Sequence, residues 1–155
     1  MRALVSSWTG HALKDENMTK AGETYANEII QLFDRDNTLS EFNSATYTAV
    51  SLIALTMWAK YAPESSIMRY KGEEMLQATW KTIGELYHAD LKNLAGPWDR
   101  SYGFDMRKYF GIMSAHIWSL VGKSTSPVID KVDDLKKEGP YCYYLSVLMS
   151  INRCI

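Results

Sequence analysis

Val50–Ser51–Leu52–Ile53–Ala54–Leu55–Thr56–Met57–Trp58–Ala59 is apolar nearly all the way round at helical spacing. A helix with no polar face must be surrounded by protein, so this stretch decides the class of fold. β-branched residues are few in it, which favours a helix over a buried strand. Tyr61-Ala62-Pro63 stops the helix, because proline lacks an N–H and restricts the residue before it. The predicted span is 46–61, and Pro63–Ser66 reads as a short polar turn.

The flanks on either side alternate with it. Upstream, Asp15 opens an amphipathic helix over 16–34. Tyr25, Ala26, Ile29, Ile30 and Phe33 form one face of it, and Asn27, Glu28, Gln31 and Asp34 the other. Asp36-Asn37 ends it as a pair of turn formers. Arg2–Lys14 reads as only weakly helical, with His11 on the surface. Downstream, 67–87 is amphipathic again, with Met68, Met75, Leu76, Ile83 and Leu86 opposite Arg69, Glu73, Gln77, Lys81 and Glu85. Gly72 and Gly84 weaken that helix. A final helix over 105–121, capped by Asp105 and ended by Gly122, is apolar through Phe110, Met113, Ile117 and Trp118. Beyond it, Ser124–Gly139 is a polar connection whose charged run reads as a solvated face. Tyr141–Ile151 is apolar and fits a helix or a strand equally.

The order is therefore amphipathic, apolar, amphipathic, apolar, and short connections make successive helices antiparallel. The two apolar helices form an inner layer and the amphipathic ones an outer layer. The reading is all-α: alternating inner and outer antiparallel helical hairpins, an open arc of an α/α-toroid. A plain four-helix bundle competes, but there every helix should be amphipathic. Residues 1–155 read as a single helical domain and partial toroid, with 15–123 its well-defined part and 124–155 a C-terminal segment of ambiguous structure. An antiparallel series also alternates ends, so the connections 35–45 and 88–104 fall on one face.

Composition narrows the function. At 155 residues, with 46% apolar and 23% charged residues, the chain suits one soluble core. A net charge of -1 gives no electrostatic reason to expect nucleic acid or a membrane as partner. No stretch is apolar enough to span a bilayer and no secretory leader is recognisable, so the expected location is cytoplasmic. Two cysteines, Cys142 and Cys154, leave both a disulfide and a reduced pair open. Three scattered histidines and no CxxC argue against metal, and no glycine spacing suits a nucleotide, so no cofactor is expected. Ten tyrosines and five tryptophans are the unusual feature, and such rings serve cores and stacking platforms alike.

Both connections on the common face are rich in reactive types. Asn93–Asp105 holds Trp98, Asp99, Arg100, Tyr102 and Asp105 around Gly96-Pro97, and the other holds Glu41, Asn43 and Tyr47. Glu41, Asp99 and Asp105 are candidate acid and base groups for a glycosidic bond. Tyr102 or His88 suits the base of a lyase. Tyr47, Trp98 and Tyr102 can stack a sugar ring, Arg100 can clamp an anion, and Asn43 can bind substrate. Each has a plainer reading beside it. Glu41 and Asn43 can cap the helix near Thr46, Asp105 can cap the last helix, and Asp99–Arg100 can be a buried pair that pins the loop. His116, among apolar residues mid-helix, reads as a satisfied core histidine.

Glu41–Tyr47, followed by Val50-Ser51-Leu52 and Trp58–Tyr61, resembles, together with Asn93–Asp105, a group of longer, largely uncharacterised fungal proteins expected to adopt an α/α-toroid. The resemblance covers residues 15–123, with Ala45 where the group suggests proline. It implies an architecture that hosts glycoside hydrolases, polysaccharide lyases, epimerases and terpenoid cyclases, and it implies that this chain is a fragment. The expected function is that of a segment derived from an enzyme acting on carbohydrate or a similar hydroxylated substrate by hydrolysis or elimination. A non-catalytic helical interaction module is the alternative. A small-molecule or glycan ligand is the expected partner, with self-association through exposed edges as a further one.

Overall fold

The computed structural model describes residues 1–90, 92–99 and 111–126. These form the helices α1 (Arg2–Leu13), α2 (Glu16–Asp36), α3 (Ala45–Tyr61), α4 (Ile67–Leu86) and α5 (Gly111–Val121). Two short strands, β1 (Tyr87–His88) and β2 (Asn93–Leu94), pair antiparallel between α4 and α5. The protein is thus mostly helical, with one small sheet in a connection that the sequence left irregular. Helices α2, α3 and α4 fall within two residues of their predicted spans. The predicted start of the last helix and its Asp105 cap lie outside the described residues. Its end is as expected, with Gly122 at φ 82.

The chain folds as two compact units, Met1–Ser40 with Ser51–Gly84, and Glu41–Val50 with Glu85–Ile155. Helix α3 contributes its first residues to the second unit and the rest to the first.

In the first unit, α1 corrects the sequence reading. Arg2–Leu13 is a full helix, not a weak one, and it supplies Ala3 and Leu4 to the core. Lys14 in the left-handed region, φ 57, turns the chain, and the Asp15 carboxylate accepts the Met18 N–H at 3.0 Å to cap α2. The two helices then lie antiparallel in very close contact. A Cβ on Gly10 would collide with the Thr19 backbone, and one on Gly22 with the backbone of Ser7. Small residues at Ser7, Gly10 and Gly22 are what this packing requires. Ser7 Oγ, fully buried, donates to Glu23 at 2.7 Å. The other Glu23 oxygen accepts the Ile67 N–H at 3.3 Å. That one carboxylate therefore serves the first turn of α4, which has no acidic residue of its own.

Ala26, Ile30 and Phe33 of α2 meet Leu55, Trp58, Ala62, Met68 and Met75 in a single apolar cluster. α3 and α4 run antiparallel, with Gly72 so close that a Cβ there would lie 2.8 Å from the Trp58 Cβ. Gly72 thus admits a tryptophan where the sequence showed only a helix-weakening residue. Helix α3 is less enclosed than its composition suggested. Leu52, Leu55 and Trp58 are buried, but Val50 and Tyr61 are exposed. Among the described residues no helix is long and apolar enough to cross a membrane.

Candidate functional site

The second unit joins the turn before α3 to the connection after α4. Ser44 caps α3, its Oγ accepting the Tyr47 N–H at 3.4 Å. One turn on, Thr48 Oγ1 accepts the Ser44 N–H at 3.3 Å and donates to the Phe42 carbonyl. These reciprocal bonds satisfy groups that a helix start leaves open. Capping therefore falls to Ser44 and Thr48, which corrects the expectation that Glu41 and Asn43 do it.

Asn43 has a different task. Its Nδ2 donates to the Ala95 carbonyl at 3.0 Å and the Pro97 carbonyl at 2.7 Å. Its own backbone carbonyl accepts the Asp99 N–H at 3.3 Å. The loop it holds is folded on itself. Tyr87 pairs with Leu94 and His88 with Asn93, and the Ala95 N–H donates to the Leu86 carbonyl at 2.6 Å. Asn93 Oδ1 accepts the Leu94 N–H at 2.8 Å, and Trp98 Nε1 donates to the Leu94 carbonyl at 3.2 Å. The two connections that helix order placed on one face do meet, through the side chain and the backbone carbonyl of buried Asn43.

Around that joint the predicted residues take distinct places. Glu41, Tyr47 and Trp98 are half-buried, Asp99 is exposed, and Asn43 is buried. Asp99 has no hydrogen bond or ion pair for its carboxylate among the described residues. His88 is exposed on β1. Arg100, Tyr102 and Asp105 lie outside the described residues, as do Cys142 and Cys154. The joint thus brings together Glu41, two residues before Asn43, and Asp99, whose N–H rests on it. The half-buried Glu41 and the exposed Asp99 lie on two connections joined through Asn43. Asn43 has no donor left for a ligand, since both carbonyls of the loop occupy its amide.

Glu41 adopts φ 59, a left-handed backbone that favours glycine. Glu41→Gly should therefore raise the denaturation midpoint, by up to about 1 kcal/mol of stability, while removing the carboxylate. Urea unfolding of the two proteins checks this. A lowered midpoint would mean that the side chain's contacts outweigh the strain.

His116 carries more than the sequence suggested. It is buried on α5 beside Met113. Burial pushes its pKa down to about 4, opposed by a hydrogen bond to the Ala49 backbone. Nε2 is buried with no partner, so Nδ1 is the nitrogen that donates to the Ala49 carbonyl. It is a core histidine, but only half satisfied. Asn43 Oδ1 is likewise buried without a partner. Such atoms cost stability wherever they persist. Ser44 and Thr48 were legible as cap formers by residue type. No sequence signal points from Asn43 to Ala95 and Pro97.

Among the described residues no group of three His, Cys, Asp or Glu could hold a metal ion. Comparison with curated proteins and with solved structures gives no match. A family model does match, over residues 1–151, and by that match the chain belongs to the family described as a domain of unknown function, DUF8769.

Proposed function

We propose that the second unit is the ligand-facing part of an α/α-toroid segment acting on carbohydrate or a similar hydroxylated substrate, by hydrolysis or elimination. The observation that carries this reading is the Asn43 amide, which holds the Glu41 turn and the Trp98-Asp99 loop together. In this reading Glu41 and Asp99 act as the acid and base pair, and Trp98 and Tyr47 stack the ring of the ligand. Arg100 clamps an acidic substituent, and Tyr102 and Asp105 complete the set. The toroid itself is supported by the antiparallel α1–α2 and α3–α4 hairpins and by the apolar character of α3 and α5. The likeness of both loops to the fungal group supports it further.

A specific observation favours a second reading, a non-catalytic helical module. Asn43, Asn93 and Trp98 all turn polar groups onto the loop's own backbone. A connection can be built this way only to hold its shape.

A thermal-shift screen against a panel of neutral and acidic glycans separates the two. The catalytic reading expects the wild type and Asp99→Asn to be stabilised by the same glycan, with turnover only in the wild type. Stabilisation without turnover in either protein selects the binding module. No response from either removes carbohydrate.

A further inference from the structure

His116 joins two elements of the second unit. From α5 its Nδ1 donates to the carbonyl of Ala49, a fully buried residue near the start of α3. Ala49 follows Thr48, whose hydroxyl closes the turn through Ser44 and Phe42. Asn43, in the same turn, holds the loop through Ala95, Pro97 and the Asp99 N–H. One ring therefore ties α5 to the segment that carries the candidate surface. The Nδ1 bond itself survives protonation of the ring. The environment of Nε2 does not, because that atom is buried without a partner. A proton there places a charge and a new donor where nothing accepts it, and opening to water relieves the cost.

No described charge compensates. α5 has no other ionisable residue, and Ala45–Val50 has Tyr47 alone. The remaining ionisable groups described in this unit are Glu41, Glu85, Tyr87, His88, Asp90, Lys92, Asp99 and Lys123. Among the described residues none of these acts on the ring, which is governed by burial and the Ala49 bond. We propose that His116 is an acid-operated latch: its protonation parts α5 from the start of α3 and loosens the Asn43 joint while the first unit stays folded. Opening can stay local because Asn43, Ala49 and His116 all belong to the second unit, whereas the α1–α2 hairpin belongs to the first. The latch concerns the frame of the surface and not what the surface binds, so it is independent of the proposed carbohydrate chemistry.

The direction of the pH effect follows from the ring's two environments. Its pKa is lowered to about 4 in place and returns to 6.5 once water reaches it. Above pH 6.5 the ring is neutral whether closed or open, and the latch holds in full. As the pH falls toward 4, the opened form takes the proton and the closed form refuses it. From pH 7 to pH 5 these values give roughly 20-fold more frequent opening. Hydrogen exchange of the 155-residue chain at the two pH values, corrected for intrinsic exchange rates, tests this. Protection of 41–50 and 93–99 should fall by that factor, protection of α1 and α2 far less, and His116→Leu should remove the difference. Equal loss in both units overturns the latch, as does protection that ignores pH or an undiminished fall in His116→Leu. Titration of the wild-type imidazole by NMR decides the matter even if that variant fails to fold. A midpoint well below 6.5 is expected, and one at 6.5 overturns the proposal.

Discussion

Asn43→Ala should lower the stability of the protein by about 3 kcal/mol, because two loop carbonyls lose their donor at once. Ala95 is half-buried and its carbonyl regains little water, whereas Pro97 is exposed and recovers part of the loss. The unpartnered Oδ1 disappears with the side chain, which offsets a little more. Asn43→Asp sharpens the test. It keeps the shape but places a carboxylate against two carbonyls, with no hydrogen to share at neutral pH. Its urea midpoint should fall below that of the alanine variant near pH 7 and recover on acidification, as a protonated acid donates again. An alanine midpoint within about 0.5 kcal/mol of wild type would mean that the amide does not hold the loop. In either variant the Asp99 N–H should exchange with solvent faster than in the wild type.

The second large effect is a dependence on pH. Burial holds His116 at a pKa of about 4, against an ordinary 6.5 in the unfolded chain. Between those values the unfolded chain binds a proton that the folded protein refuses. Stability from this group is therefore complete above pH 6.5 and falls as the pH drops toward 4, by about 3 kcal/mol in all. His116→Leu keeps the volume, loses the bond to Ala49, and should start less stable at neutral pH by about 1 kcal/mol. Its advantage appears in acid, where it has nothing to protonate. The two stability curves, measured by urea unfolding across this range, should cross. Parallel curves would show that the imidazole is hydrated in the folded protein.

Both effects fall in the part of the protein where sequence was least informative about mechanism and most informative about location. Helical periodicity located α2, α3 and α4 because each carries its apolar stripe in local sequence. The meeting of the two connections followed from antiparallel parity alone. Helix α1 was undervalued because its end is polar, and nothing in local sequence shows that small residues at Ser7 and Gly10 let α2 approach. The joint itself was illegible for a different reason. A backbone carbonyl carries no residue signature, so nothing in Ala95 or Pro97 announces an asparagine 52 or 54 positions earlier. Helix order put the Asn43 turn and the Trp98-Asp99 loop on one face, and Asn43 does bond that loop. It did not separate Asn43, whose amide is spent on the loop's carbonyls, from Asp99, whose side chain is exposed. His116 was legible as a core residue, but its empty nitrogen was not, because satisfaction depends on neighbours brought by folding.

The two-residue link between α1 and α2 has a bearing on the order in which the molecule is made. Closing so short a link costs little chain entropy, so that hairpin can zip while the chain is still largely open. The Asn43–Ala95 bond must instead wait for a 52-residue span to close. The candidate surface thus closes later in folding than that hairpin. By the same logic it is an early place to fray, with its loop amides opening to solvent before those of the first helical hairpin. A surface that closes later and opens earlier than the hairpin can adjust to a ligand without unfolding it.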